Sequence, residues 1–235
     1  MTTGSGATQS APVPNMAGKA ITVRGPLDPD QLGTTIMHEH LFIDFRRSVV
    51  PDDNVPVTEW AQWDRTLTID NLRMARDRKS IADNRLLTDE RSAVDEAMEF
   101  RYRGGGTIVD VNSIGLRRDP EALRRVSYAT GLNVIMGAGW YQKQYHPANM
   151  DERTVEDLSE EIIRDVTVGV GNTGIRAGII GEIGVNGDPI TPNEVKSIRA
   201  AARASRATGA AITLHRGGAE RERFDVIGMM GEEGA

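Results

Sequence analysis

Five short apolar segments, each bounded by glycine or polar residues, constrain the fold of this 235-residue chain. Their length and their content of β-branched residues suit buried parallel strands better than helices. A further strand is predicted at Ala20–Arg24, before a turn through Gly25 and Pro26. The five segments are Thr35–Phe45, Thr107–Val111, Asn133–Ala138, Ala177–Ile183 and Ala211–His215.

Capping residues mark the starts of helices between these segments. Thr191–Glu194 reads Thr-Pro-Asn-Glu, a capping box with proline at the first helical position. Comparable starts occur at Thr154, at Asp119 and near Asp89, whereas 46–87 is predicted to be an extended loop with helical pieces. The repeated alternation of strand and helix from about residue 107 onward predicts a parallel βα fold.

Composition excludes several classes of protein. The chain has no cysteine, so a metal ion must be held by His, Asp or Glu rather than by thiolates. A net charge of −6 and the lack of a basic patch argue against nucleic-acid binding. No apolar run approaches the roughly 18 residues of a membrane span. Residues 1–19 are rich in Gly, Ser, Thr and Pro and do not resemble a secretory signal. We therefore expect a flexible tail over 1–19, a folded domain over 20–235 and a cytoplasmic location.

Two of the four histidines lie two residues apart in a strand-like segment. Side chains alternate across a strand, so His38 and His40 should point to the same side and Glu39 away from it. Such a pair either forms half of a metal site or consists of polar residues satisfied by hydrogen bonds at a strand end. His215 ends the last apolar segment, where it is either a metal ligand or a structural residue.

Two carboxylates lie inside apolar segments. Glu182, in Ile-Ile-Gly-Glu-Ile-Gly, would be costly to bury unless a cation neutralises it; the alternative is an ion pair with an arginine such as Arg176. Asp110 either supports a metal ligand or accepts backbone hydrogen bonds. Trp140 and Tyr141 follow a predicted strand and either line a pocket at its carboxyl end or serve only in packing.

Several segments, in order, resemble the phosphotriesterase-like family of the amidohydrolase superfamily. The resemblance implies an α/β fold, a (β/α)8 TIM barrel of which about the first five βα units are present, and two divalent metal ions, usually zinc. The segments are Val23–Pro26, Thr35–Leu41, Thr173–Ile180, Ala200–Ser205 and Ile212–His215.

The same resemblance implies a set of metal ligands. His38 and His40 would bind the buried ion, His215 the more exposed one, and a carboxylate at the end of the fourth barrel strand would bridge both. Better-known members have a carboxylated lysine where this chain has Gly181, and the sequence is similar to a branch that uses a glutamate, here Glu182. The shift by one residue requires a local bulge, which the flanking glycines permit.

By resemblance, the expected activity is hydrolysis of a small lactone, carboxyl ester or phosphoester by a binuclear centre with a bridging hydroxide. Trp140 and Tyr141 would line the substrate pocket. The family's sixth-strand His and its catalytic eighth-strand Asp are expected beyond residue 235, so we expect an N-terminal fragment or a truncated form with little activity alone. The sequence leaves open whether the protein forms a homo-oligomer.

Two other interpretations remain. A TatD-like metal-dependent nuclease uses the same His-x-His pattern and a glutamate, although the acidic net charge disfavours it. The other is a non-catalytic truncated barrel, which would bind less than one metal ion per chain.

Overall fold

The strands form one parallel sheet and two short antiparallel pairs in the computed structural model, which describes residues 15–48, 54, 56–76, 81–186, 189–215 and 220–235. In chain order the strands are β1 (Ala20–Thr22), β2 (Gly25–Leu27), β3 (Thr34–Glu39), β4 (Ile43–Asp44), β5 (Leu86–Leu87), β6 (Gly105–Asp110), β7 (Asn133–Ala138), β8 (Ile179–Gly184) and β9 (Ile212–His215). β1 pairs with β2 and β4 with β5, while the parallel sheet has the order β3-β6-β7-β8-β9.

Helices alternate with the parallel strands, as the sequence predicts. They are α1 (Val57–Trp63), α2 (Leu72–Arg76), α3 (Glu90–Tyr102), α4 (Pro120–Thr130), α5 (Val155–Thr167), α6 (Pro192–Thr208) and α7 (Glu220–Glu232). None of the helices in the described ranges has both the length and the apolar character that a membrane crossing requires.

Both faces of the central strands β6, β7 and β8 are buried or half-buried, as is typical of parallel sheets, whereas the edge strand β3 is mostly exposed. One face packs against the helices in a large apolar cluster that includes Leu123, Leu158, Ile180 and Ile198. Because side chains alternate along a strand, Val109, Val111 and Ile179 form a separate small cluster on the opposite face.

The parallel sheet is curled. β3 and β8 are separated by β6 and β7, so in a flat sheet their side chains would lie about 14 Å apart at a strand spacing of about 4.8 Å. Instead, His38 Nε2 on β3 lies 3.3 Å from Glu182 Oε2 on β8. Curling therefore brings distant strand ends together on the concave side, as in a TIM-barrel-like fold.

The predicted helix starts are confirmed. Thr191 and Glu194 form a reciprocal capping box at α6, and Thr154 caps α5 through the backbone N–H of Asp157. Asp119 caps α4 in the same way. Asp89, expected in the first turn of α3, lies one position earlier as its N-cap. These caps satisfy backbone donors that the first helical turn leaves free.

One predicted strand is wrong in extent. The segment Thr35–Phe45 is not continuous, because the chain leaves the sheet after Glu39 and resumes extended structure only in β4, which pairs with β5. The cause is a distant side chain: Asp110 Oδ2 accepts the backbone N–H of Leu41 at 2.7 Å. The strand predicted at Ala20–Arg24 is shorter than expected. β1 ends at Thr22, and the Val23 N–H donates to the Val134 carbonyl of β7.

The predicted loop over 46–87 contains α1, α2 and β5, with residues 49–53, 55 and 77–80 outside the described part. The predicted tail over 1–19 likewise lies outside it up to residue 14.

Glu194 holds the connection between β8 and α6 in place. Its carboxylate is fully buried and accepts the backbone N–H groups of Asn186 and Thr191 at 3.1 and 2.9 Å, and the Thr191 hydroxyl at 2.8 Å. Burial acts to raise the pKa of Glu194, but these hydrogen bonds outweigh burial and leave the pKa below its ordinary value of 4.5. The ionised carboxylate therefore stabilises the chain that leads away from Glu182.

We expect Glu194→Gln to lower the free energy of unfolding by roughly 1–3 kcal/mol at pH 7, since an amide N–H would face backbone donors. The folded-state pKa lies below the unfolded one, so the wild-type advantage is full above about pH 5 and decreases as the pH falls through the folded-state pKa. Urea unfolding of both proteins at pH 7, 5 and 4 measures how the difference between their free energies of unfolding decreases with pH. A pH-independent difference would show that charge on Glu194 is not what stabilises the loop.

Candidate metal centre

Three histidines surround Glu182 at the carboxyl ends of the strands. His38 Nε2 lies 3.3 Å from Glu182 Oε2, His40 Nε2 lies 3.5 Å from Oε1, and His215 Nδ1 lies 3.1 Å from Oε2. His38 comes from β3, His40 directly follows that strand, and His215 ends β9. The predicted alternation is confirmed, because both histidines of the pair face the same carboxylate.

Glu182 is a buried carboxylate without an arginine or lysine partner among the described residues. Its side chain is 2% exposed, and its ion-pair contacts are with the three imidazoles. The alternative partner Arg176 lies before the opposite end of β8 and forms no ion pair with Glu182. Burying a carboxylate without a strong cationic partner is costly, so the cluster has the electrostatic character of a cation site.

A local irregularity of β8 directs Glu182 into this cluster. The register between β8 and β9 shifts between Ile180 and Ile183, which confirms the predicted bulge. Gly181 has φ of 122°, and a Cβ there would lie 2.3 Å from the carbonyl oxygen of Thr213. Glycine is therefore required at 181 by both conformation and space, and the next residue carries the carboxylate.

His38, His40 and Glu182 each offer one ligand atom within 4.8 Å of the others. Their burial differs, because the His38 side chain is half exposed whereas Glu182 is almost inaccessible. Burial lowers the pKa of His40 below its ordinary value, against the raising effects of Asn112 and Glu182. His40 is therefore neutral at physiological pH, the form in which imidazole binds metal ions.

Asp110 supports the turn that carries His40. It is completely buried and accepts the backbone N–H groups of Leu41 at 2.7 Å and of Asn112 at 3.1 Å. Burial raises the pKa of Asp110 to about 7, although these hydrogen bonds act to lower it. Of the two predicted roles, these contacts show the second, since the carboxylate accepts backbone N–H groups. Support of a metal ligand by Asp110 stays a prediction.

Tyr141 lies beside the cluster. Its hydroxyl is 2.9 Å from both ring nitrogens of His215, and the side chain is buried. Burial, together with the nearby Glu182 and Tyr145, raises the pKa of Tyr141 well above its ordinary value, so the phenol stays protonated. His146 donates its Nε2–H to the Tyr141 carbonyl oxygen at 2.8 Å, since a carbonyl oxygen only accepts hydrogen bonds.

Comparison with known proteins identifies the family. A family model described as the phosphotriesterase family matches residues 18–235. This chain belongs to the phosphotriesterase family. The predicted resemblance is thereby confirmed.

Similar proteins of this phosphotriesterase family include an N-acetyltaurine hydrolase of Xenopus tropicalis, 35% identical over 223 residues, which cover 94% of this chain and 63% of that protein. The crystal structure of a resiniferatoxin-binding protein from Rhodobacter sphaeroides is 36% identical with a TM-score of 0.86, covering 93% of this chain and 61% of that one. A mutant of a phosphotriesterase-like lactonase from Deinococcus radiodurans is 26% identical with a TM-score of 0.67, covering 92% and 60%. The chain thus spans about three fifths of the length of these relatives.

In this phosphotriesterase-family chain, the structure brings some of the predicted site residues together and places another in the apolar core. His38, His40, Glu182 and His215 lie together, and Tyr141 touches His215. Trp140 is completely buried in the apolar cluster, with the Arg153 guanidinium carbon 5.2 Å from its ring centroid. The substrate-pocket role of Trp140 and Tyr141 stays a prediction.

Sequence reasoning missed Asn112, whose Oδ1 lies 2.7 Å from His40 Nδ1. Its side chain is buried, and it comes two residues after Asp110 at the carboxyl end of β6. A polar residue at that point of a buried parallel strand was the available signal, because the carboxyl ends of such strands carry the functional groups of βα barrels.

Proposed function

We propose that this chain carries the metal-binding part of a metal-dependent hydrolase. The observation that supports the proposal is the buried Glu182 carboxylate, which three imidazoles approach to within 3.5 Å and which no arginine or lysine of the described residues neutralises. Membership in the phosphotriesterase family adds support, because relatives of this family are named as hydrolases.

The donor set fits a divalent transition metal. Imidazole nitrogen and carboxylate oxygen are ligands of zinc in hydrolytic sites, and zinc is the ion that we propose. His38 and His40 with Glu182 would hold one ion, and His215 with Glu182 would contribute to a second. Ions bound there would supply Lewis-acid polarisation of a carbonyl or phosphoryl oxygen and make water a better nucleophile near neutral pH.

The residues of the chain itself would prepare this site. Glu182 supplies the negative charge that attracts the cations, and neutral His40 offers a nitrogen lone pair without competition from a proton. The buried, protonated Tyr141 hydroxyl would orient the ring of His215, which it contacts at 2.9 Å. Trp140, which is completely buried, would shape the pocket from the core.

We propose lactones, carboxyl esters or phosphoesters of small molecules as the substrate class. A lactonase from Deinococcus radiodurans is among the similar structures, which supports the first of these. A second candidate is the amide bond of an N-acyl amino sulfonate, because a relative 35% identical to this chain is named N-acetyltaurine hydrolase. Ester and amide hydrolysis both proceed at a carbonyl carbon, so one site can serve either.

Hydrolysis assays of the chain, supplemented with zinc or manganese, test the proposal. The chain should be assayed alone and joined to any sequence that its gene encodes after residue 235, with a lactone, an aryl ester, a phosphotriester and N-acetyltaurine. We expect metal-dependent hydrolysis of at least one substrate by the longer protein, lost with a chelator and restored by metal. Cleavage of single-stranded DNA alone would favour the nuclease interpretation. Binding of less than one ion per chain without any hydrolysis would favour the non-catalytic one.

A further inference from the structure

The side chain of Asn112 connects the backbone after β3 to the ring of His40. Its Oδ1 lies 2.7 Å from His40 Nδ1, and its Nδ2 contacts the carbonyl oxygen of Phe42. The residue is 1% exposed, and Asp110 Oδ1 accepts its backbone N–H at 3.1 Å. Asn112 is thus fixed on both sides and has no access to bulk water as a competing partner.

These contacts fix which end of the amide faces His40. A backbone carbonyl only accepts hydrogen bonds, so the group beside the Phe42 oxygen must be the NH2 of Asn112. The reversed amide would place two acceptor oxygens against each other in a buried position. The oxygen of the amide therefore faces the imidazole.

The orientation of the amide in turn fixes the tautomer of His40. An amide oxygen only accepts, so His40 Nδ1 must carry the hydrogen that joins them over 2.7 Å. A neutral imidazole has one N–H, which leaves Nε2 with its lone pair. Nε2 is the atom that lies 3.5 Å from Glu182 Oε1, inside the candidate metal centre.

We propose that Asn112 is a positioning residue that holds His40 in the Nδ1–H tautomer, with the Nε2 lone pair directed at the metal centre. This inference rests on the proposed function in one respect, namely that a metal ion is what Nε2 binds. A hydrogen-bond partner on the non-ligating nitrogen orients the ring and raises its basicity, and losing such a partner typically costs about 10–100-fold in metal affinity.

Two variants of similar volume separate the acceptor from simple packing. Asn112→Leu removes the acceptor, whereas Asn112→Asp keeps an oxygen toward His40 Nδ1 and replaces the donor to Phe42 by a second oxygen, which adds a negative charge. Ser113→Ala is the matched control, since Ser113 is the neighbouring buried residue and its hydroxyl has no hydrogen-bond partner among the described residues. Circular dichroism checks the fold, and Asn112→Ala replaces the leucine variant if that variant does not fold.

The tautomer is read from two-dimensional nitrogen–proton NMR of the metal-free, 15N-histidine-labelled chain at pH 8, with the His40 signals assigned by their loss in His40→Gln. We expect the Nδ1–H form in the wild type, in Ser113→Ala and in Asn112→Asp, and a shift toward Nε2–H in Asn112→Leu. Zinc competition with a chromophoric chelator should show about 10–100-fold weaker binding for Asn112→Leu, with recovery to within a few-fold in Asn112→Asp.

Retention of the Nδ1–H form in Asn112→Leu would overturn the inference, as would equal losses of zinc affinity in Asn112→Leu and Ser113→Ala. Failure of the proposed function has a different signature. If the wild type binds no zinc, the metal-dependent function is wrong, but the tautomer of the metal-free chain still decides whether Asn112 sets the state of His40.

Discussion

Glu182→Gln is expected to abolish tight binding of divalent metal ions and, with it, any hydrolase activity. Glutamine has nearly the same shape but no charge, and a neutral amide cannot compensate the charge of the ions that Glu182 would share. The loss should be at least roughly 100-fold in affinity, more than the typical effect of removing a partner that lies outside the ligand shell. Zinc titration against a chelator measures it.

The stability of the metal-free variant separates a metal ligand from a structural ion pair. Removing one partner of a buried ion pair that stabilises the fold typically costs about 3–5 kcal/mol. If Glu182 serves metal ions instead, the metal-free Glu182→Gln protein should unfold at a free energy close to that of the metal-free wild type, since a poorly compensated buried charge has been removed. Urea unfolding in the presence of a chelator gives both values.

Glu39→Gln is the matched control for this charge change, because Glu39 lies between the two histidines and its side chain is exposed. It should leave metal affinity within a few-fold of the wild type. If the Glu182→Gln protein still binds zinc tightly, Glu182 is not a ligand of the site. A requirement for added bicarbonate during reconstitution would also contradict the assignment, because a glutamate needs no carboxylation.

Replacing His38 and His40 together by alanine is the second large change. Both Nε2 atoms face Glu182, so the double variant removes two nitrogen ligands and leaves the carboxylate with His215 alone. A catalytic zinc normally has three protein ligands, so we expect the ion bound at this pair to be lost at micromolar metal concentrations. Elemental analysis after dialysis gives the number of ions per chain.

His146→Gln is the control for the histidine substitutions. His146 is buried near Tyr141, but its ring contacts a backbone carbonyl rather than Glu182. Its replacement should leave the number of bound ions unchanged. An unchanged number of bound ions in the double variant would exclude His38 and His40 as ligands. They would then be polar residues satisfied by hydrogen bonds at a strand end.

Local patterns in the sequence predict most of the fold. The helix starts at Asp119, Thr154 and Thr191 are correct because a cap depends on residues only three positions apart. The common side of His38 and His40 is correct for a similar reason, since the two-residue repeat of a strand is a local property.

The sequence predicts the candidate site where a charged residue occurs within an apolar segment. Glu182 is conspicuous in the sequence because a carboxylate occurs in an apolar segment, and the structure places it at the centre of the cluster. The errors arise from contacts between distant segments. The break after β3 depends on the Asp110 carboxylate, 69 positions from Leu41, and nothing near Leu41 in sequence indicates it.

Asn112 illustrates the same limit at the level of a single hydrogen bond. Its contact with His40 joins residues 72 positions apart, and it exists only because β3 and β6 are adjacent in the sheet. The burial of Trp140 is also a property of the packed protein, since the residue belongs to the large apolar cluster and the Arg153 guanidinium lies over its ring. Side-chain positions of this kind follow from topology rather than from local sequence.

The most direct test of a metal centre at Glu182 is anomalous X-ray scattering from crystals of the chain grown with zinc, with data collected above and below the zinc absorption edge. We expect an anomalous peak in contact with His38, His40 and Glu182 that is present only above the edge. A zinc-saturated crystal with these three side chains ordered and no anomalous density between them would contradict it.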